Sequence, residues 1–350
     1  MPRELKYAQA INEAIDLCMA RDPSVYLMGL GVPDPKGVFG TTLGLRAKHG
    51  DRRVLDMPTS ENGMTGVAVG TALAGCRPVM THQRVDFALL ALDQIVNQAA
   101  KWRYMFGGKL KVPLVVRLIV GRGWGQGPQH SQSLHSWFAH VPGLKVVMPT
   151  TPYDAKGLLI SSIEDDDPVI FLEHRWLHGI TGPVPEGVYR VPLGSARVMR
   201  EGRDVTIAAI SHMCLEALRA ADTLAEDGCQ AEVIDIRSLR PLDEKTVVES
   251  VRKTGRLIVA EGGWRSCGFG AEIVARAVEQ AFPSLKCPPC RIALPDCPTP
   301  TSPRLAAKFY PRAAEISEAA RAMLGIRETR PPVPASAPLD VPDPSFTGPF

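Results

Sequence analysis

Asp56-Met-Pro-Thr-Ser-Glu61-Asn-Gly63-Met-Thr-Gly66-Val-Ala-Val-Gly70-Thr-Ala-Leu-Ala-Gly75 sets one carboxylate at the mouth of a segment made of small and apolar residues. Gly63, Gly66 and Gly70 recur at spacings of three and four, so a helix here carries them on one face. Such a face admits another backbone at close range, although each glycine weakens the helix. Two readings of Glu61 stand side by side. It is a first-turn acid favoured by the helix dipole, with Thr59 or Ser60 capping, or it is an acid held in a packed pocket for chemistry.

Outward from this helix the pattern alternates. Apolar positions recur at helical spacing from Tyr7 to Met19, and Val25 to Leu30 reads as a short buried strand. Pro78 to Thr81 is a strand, Phe87 to Tyr104 one long helix, and Pro113 to Val120 a strand rich in branched residues. Val146 to Met148 and Val169 to Leu172 are further strands, separated by a helix from Asp154 to Ile163. This alternation predicts a doubly wound, mostly parallel α/β sheet. Glycine, proline and polar residues interrupt it after His178, and the alternation then restarts with strands at Val205 to Ile210, Ala231 to Ile236 and Arg256 to Ala260. We therefore expect a first domain over 1–178, a linker over 179–200 and a second, smaller α/β domain over 201–326. The proline-dense stretch 327–350 lacks apolar periodicity and is expected to be a disordered tail.

The chain has 350 residues, a size that calls for two domains, and a net charge of +3 without a long basic run. Nucleic-acid binding is not expected. No apolar run has the length of a membrane span, and Met1-Pro-Arg-Glu-Leu-Lys6 lacks a signal-peptide core, so a cytosolic, cytoplasmic protein is expected. The eight cysteines are scattered, as suits buried thiols in a reducing compartment. Cys287-Pro-Pro-Cys290 followed by Cys297 has metal-like spacing but no matching second pair.

Two further places are candidates for chemistry. The strand ending at Val120 runs into Gly121-Arg-Gly-Trp-Gly-Gln-Gly127 and then Pro128-Gln-His130-Ser-Gln-Ser133. His130 thus lies beyond the C-terminal end of a strand, where α/β folds open their ligand crevices, and histidine suits proton transfer near neutrality. The glycines lack the lysine of a phosphate-binding loop and the spacing of a dinucleotide fingerprint. His135 and His140, on the following segment, read as structural. Phe87 follows His82-Gln-Arg-Val-Asp86 at another strand end, where its ring can stack on a planar group.

Four segments taken in order carry a resemblance. They are Asp56-Met-Pro-Thr-Ser-Glu61-Asn-Gly63, Phe87 with Asp93-Gln-Ile-Val-Asn-Gln-Ala-Ala-Lys-Trp-Arg-Tyr-Met105, His130-Ser-Gln-Ser133, and Pro142-Gly-Leu-Lys-Val-Val-Met-Pro-Thr-Thr-Pro-Tyr-Asp-Ala-Lys-Gly-Leu-Leu159. With Asp235-Ile-Arg-Ser-Leu-Arg-Pro-Leu-Asp243 they resemble the beta subunits of the decarboxylating component of 2-oxoacid dehydrogenase complexes (pyruvate, branched-chain and acetoin types), within the transketolase-like thiamine diphosphate enzymes. The resemblance covers roughly Leu5 to Leu324 by motif order.

That resemblance implies roles. Glu61 matches the glutamate that hydrogen-bonds ring nitrogen N1′ of the cofactor's aminopyrimidine. Phe87 matches the aromatic stacked on that ring, and His130 a histidine that orients intermediates and serves acyl transfer. Leu114, Ser162, Asp165 and Asp167 match positions whose backbone carbonyls bind potassium; a solvated acidic turn is the plain alternative for the aspartates. In the family a Gly-Asp-Gly motif and later paired asparagines hold the diphosphate and its magnesium, and this chain contains neither. The resemblance therefore implies an alpha subunit that supplies that end, in a two-alpha, two-beta heterotetramer. It also implies a 2-oxo acid substrate and a lipoylated acyltransferase as acyl acceptor. The competing expectation is the beta half of a split transketolase-like carboligase. Thr81, Arg84, Phe106 and Arg122 depart from the family's pattern, and the two arginines suggest contacts to a carboxylate or phosphate.

Overall fold

The computed structural model describes residues 3–123 and 126–326. The expected tail over 327–350 lies outside the described residues.

Among the described residues, seven strands form the first sheet. Their order is Val54–Leu55, Val25–Gly29, Arg77–His82, Val115–Val120, Val169–His174, Lys145–Val147 and Ser238–Arg240. All neighbours are parallel except the last pair. Val115–Val120 is buried at every position, as a central strand covered on both faces requires. Alternate side chains serve opposite faces. Leu27, Val79, Val115 and Phe171 join the core under the helices Tyr7–Arg21 and Pro152–Glu164. Met28, Met80, Val116 and Leu172 join the core under the helix Glu61–Leu73. Pro152–Glu164 starts where the sequence allows it: Pro152 sits in the first turn and the Thr151 hydroxyl accepts from the Asp154 amide.

Five strands form the second sheet, in the order Cys290–Leu294, Leu257–Trp264, Val205–Ala209, Ala231–Asp235 and Arg197–Arg200, and only the last pair is antiparallel. The stretch 179–200 is not featureless: Thr181–Pro183 pairs with Glu4–Lys6, and Arg197–Arg200 is the edge strand just named. Ser238–Arg240 leaves the second sheet's neighbourhood to extend the first, and one apolar cluster runs from Met28 and Val116 through Ile234 and Leu239 to Phe269. The two sheets thus share a core.

The expected long helix from Phe87 to Tyr104 is helical in pieces. A turn over Val85–Ala88 and a tight one over Leu89–Ala91 lead into a widened π-helical run over Asp93–Ala99, which closes as Ala100–Met105. The wide turn rides over the glycine helix, where a Cβ on Gly66 would come 3.2 Å from Gln94 Oε1. No helix among the described residues is long and apolar enough to cross a membrane.

Candidate active site

Strand order places the site. Val25–Gly29 leads to Val54–Leu55 on one side, and Arg77–His82 leads to Val115–Val120 on the other. Where neighbouring strands diverge in this way, their C-terminal ends leave a crevice. A cavity of about 960 Å3 occupies that position, between the loop from Gly31 to Gly40 and the side chains of Arg84, Phe87 and His130.

Phe87 and His130 meet there. Their ring centroids are 5.5 Å apart and tilted by 50°. The Nδ1 atom of His130 is buried and makes no hydrogen bond, with Asp86 Oδ2 3.9 Å away. Burial pushes the Asp86 carboxyl above its ordinary value, and Gln132 Nε2 donates to Asp86 Oδ1 at 2.7 Å. The segment bearing His130 is clamped from behind, because Arg84 Nη1 donates to the His130 carbonyl at 2.8 Å and to that of Gly121 at 3.3 Å. Gly121 has a φ of +83°, and a Cβ there would fall 2.3 Å from His174 Nε2, so no other residue fits.

Glu61 opens its helix just beyond the Val54–Leu55 strand and is 6% exposed. No described residue donates a hydrogen bond to its carboxylate, and it does not line the Phe87–His130 cavity. One turn on, Thr65 Oγ1 lies 3.3 Å from His82 Nε2. Of the three glycines only Gly66 faces a side chain of another element within this chain. A Cβ on Gly70 would meet nothing within 4 Å, and Val67 on the same side is 50% exposed. Glu61 shares the buried side of the helix with Thr65, Ala68 and Ala72, and the uncovered small-residue face lies on the opposite side.

Leu114, Ser162, Asp165 and Asp167 gather where the Val115–Val120 strand begins and the Pro152–Glu164 helix ends. Three of those carbonyls already accept bonds: Leu114 from the Val169 amide at 2.9 Å, Ser162 from the Asp165 amide at 3.4 Å, and Asp165 from Arg77 Nη1 at 2.9 Å. The Asp165 and Asp167 side chains pair with Lys145 and Arg103. The aspartates are half-buried ion-pair partners and not a solvated turn.

Arg122 turns away from the cavity, donating to the Thr301 carbonyl at 2.8 Å. His135 is buried against Glu261, Nε2 to Oε2 at 2.7 Å, and the His174 and His212 ring centroids lie 3.9 Å apart with the rings tilted by 30°. Burial pushes His212 down to about 3 and His174 well below the usual histidine range, so both are neutral packing. Sequence reasoning missed Asp86, Phe39 and the Gly31–Gly40 loop as parts of the site. For Asp86 the signal was present, since it adjoins Phe87 on the same turn.

Three features suit an aminopyrimidine cofactor: a glutamate only 6% exposed to whose carboxylate no described residue donates, a half-buried phenyl ring, and a histidine nitrogen without a partner. Residues 3–179 match the transketolase pyrimidine binding domain, and residues 194–316 match the transketolase C-terminal domain. A split gene transketolase (an inactive beta4 tetramer) has the same fold, with a TM-score of 0.75 at 23% identity over 93% of this chain and 99% of that one. The chain belongs to the transketolase-like family. Among its relatives is the acetoin:2,6-dichlorophenolindophenol oxidoreductase subunit beta of Cupriavidus necator, 49% identical over 92% of this chain and 98% of the relative. The corresponding subunit of Bacillus subtilis is 42% identical over 93% and 98%. The mitochondrial pyruvate dehydrogenase E1 component subunit beta-2 of Oryza sativa subsp. japonica is 45% identical over 91% and 86%. Within that family, then, this chain is one of the beta subunits of the 2-oxoacid dehydrogenase decarboxylating component.

Proposed function

We propose that this chain supplies the pyrimidine-binding half of an active site that decarboxylates a 2-oxo acid, with an alpha subunit supplying the magnesium and diphosphate half. The observation that carries the reading is the cavity at the strand ends where the Phe87 ring meets the unpartnered His130 Nδ1, in a chain without Gly-Asp-Gly or paired asparagines. Thiamine diphosphate, when bound, provides a nucleophilic carbon and an electron sink for the loss of carbon dioxide. Glu61 would hold a proton at its carboxylate for exchange with the pyrimidine ring nitrogen, and Phe87 would offer its ring face. His130 would hold or donate a proton at Nδ1, with Asp86 3.9 Å away and its segment kept in place by the clamp from Arg84. The assembly is a two-alpha, two-beta heterotetramer in the cytoplasm, and a lipoylated acyltransferase takes the acyl group.

Purified together with its alpha partner and given thiamine diphosphate and magnesium, the chain is expected to release carbon dioxide from a 2-oxo acid. Transfer of a two-carbon unit to an aldehyde or sugar, with no 2-oxo acid consumed, would establish the carboligase alternative. His130→Ala is expected to slow acyl transfer to a lipoyl acceptor by about a hundredfold while changing cofactor affinity far less. Equal losses in both would remove His130 from that role.

The reading includes a potassium ion on the carbonyls of Leu114, Ser162, Asp165 and Asp167, with the Arg77 guanidinium as its competitor for the Asp165 oxygen. Replacing sodium by potassium at constant ionic strength should raise the melting temperature, because a cation bound only by the folded state stabilises it. Identical melting in the two salts would leave the Asp165 carbonyl to Arg77 and remove the potassium site.

A further inference from the structure

We propose that the cavity beside Phe87 and His130 binds, on the Arg84 guanidinium, a second anionic group of the substrate: a carboxylate or phosphate remote from the 2-oxo carbon. This rests on the decarboxylation reading above and adds the substrate class.

Arg84 is 4% exposed and lines the cavity, and it forms no ion pair with any described carboxylate. Its Nη1 is spent on the carbonyls of His130 and Gly121, while its Nη2 is buried with no hydrogen-bond partner. Burial pushes the guanidinium down to about 10, which leaves it charged at neutral pH. A buried charge without a counter-ion is costly, and a charge-assisted pair with an incoming anion removes that cost. A second guanidinium, that of Arg175, lies 4.7 Å from the Phe39 ring centroid, and that of Arg84 lies 5.9 Å from the same centroid. Phe39 is held at a φ of +51°, a left-handed conformation that a phenylalanine adopts only under constraint, and it too lines the cavity.

Three groups oppose or compete with this assignment. Asp86 contributes a nearby negative charge, but its carboxylate is engaged by Gln132 on the His130 side. Asp34 lies at the exposed rim. Gln126 Oε1 is a buried, unpartnered acceptor close to the same spot as Arg84 Nη2, since a Cβ on Gly123 would approach them to 2.4 and 2.8 Å. A small side-chain shift would let Gln126 satisfy Arg84 in place of a ligand.

The anion is one the reaction retains. Pairing Arg84 with the carboxylate that departs as carbon dioxide would stabilise the bound substrate more than the transition state, which works against turnover. A spectator anion keeps its pair throughout.

The test uses the enzyme assembled with its alpha partner, thiamine diphosphate and magnesium. Three substrates of similar length are compared: 2-oxovalerate, 2-oxoglutarate and 2-oxo-4-phosphonobutyrate. The wild type is expected to favour one or both anionic-tailed substrates over 2-oxovalerate by at least about tenfold in kcat/KM, and Arg84→Gln to reduce that ratio about tenfold. Arg84→Lys, which keeps the charge and loses the fork, should retain part of the preference and serves if the glutamine variant does not fold. A calorimetric titration of the assembled protein with glutarate or inorganic phosphate reads the subsite without turnover, and binding should be lost in Arg84→Gln. If no 2-oxo acid is consumed but this binding difference persists, the subsite stands and the decarboxylation reading falls. Three results would overturn the subsite: no preference in the wild type, Arg84→Gln lowering all three substrates alike, or glutarate and phosphate both failing to bind the wild type. The second of these assigns Arg84 to holding the loop, with Gln126 as its partner.

Discussion

Glu61→Ala, assayed with the alpha partner present, lowers turnover by at least about a hundredfold, the scale of a positioned acid or base, and leaves thermal stability unchanged or slightly raised. The two halves of this expectation have separate causes. Turnover falls because an alanine has no group that can exchange a proton with the cofactor ring. Stability does not fall because no described residue donates to the Glu61 carboxylate, so its removal breaks no hydrogen bond. An acid serving only as a helix-dipole partner gives the opposite pattern, with a small loss of stability and little loss of rate. Glu61→Gln should resemble the alanine variant, because an amide keeps the shape and cannot exchange the proton. A loss of turnover below about tenfold, roughly 1.4 kcal/mol in barrier, would contradict the role.

The largest effect on stability is expected at Glu173. Its two oxygens accept from Arg117 Nε at 2.7 Å and Nη2 at 3.0 Å, and His178 Nε2 lies 3.2 Å from Oε2; all three are buried, and Arg117 and Glu173 stand in adjacent central strands. Glu173→Ala strands the Arg117 charge in the core and should cost about 3 to 5 kcal/mol. Chemical unfolding of the chain measures this. Replacing both partners together, Arg117→Met with Glu173→Leu, should recover most of the loss, since no orphaned charge remains. Burial pushes the Glu173 carboxyl up, but Arg117 and His178 more than offset it, and the group ends below its ordinary value. A carboxylate depressed by folding stabilises above its unfolded pKa, about 4.3, and that contribution is lost as pH falls through the folded value. The difference between wild type and Glu173→Ala should therefore be full at neutral pH and shrink in acid. A neutral-pH loss under about 1 kcal/mol, the size of an exposed pair, would mean that water reaches the pair.

Those two residues mark how differently the sequence exposes its information. Strands such as Val115–Val120 and the capped helix Pro152–Glu164 are written in local pattern, and the alternation of strand and helix was enough to anticipate two mostly parallel sheets. Glu61, Phe87 and His130 each lie just beyond a strand end, so their placement along the sheet edge follows from the same alternation. Contacts between distant segments leave no such trace. Nothing local says that Ser238–Arg240 will pair with Lys145–Val147, or that His135 will meet Glu261 across 126 residues. Arg117 reads as a polar interruption in an apolar strand until Glu173 is seen beside it. Phe39 gave no hint of a left-handed backbone, a conformation that phenylalanine rarely prefers on its own. Arg84 and Arg122 looked equivalent in sequence. Only the fold separates them, turning Arg122 to the Thr301 carbonyl and leaving Arg84 Nη2 in the cavity without a partner.

On the proposed function, this chain holds one end of a cofactor whose other end belongs to a second polypeptide. The direct measurement is a calorimetric titration of thiamine diphosphate with magnesium into the chain alone, into the alpha partner alone and into the mixture, followed by a carbon dioxide assay on each. Stoichiometric binding and turnover in the mixture, with no turnover by this chain alone, is the predicted result. Full loading and catalysis by this chain without a partner would contradict it.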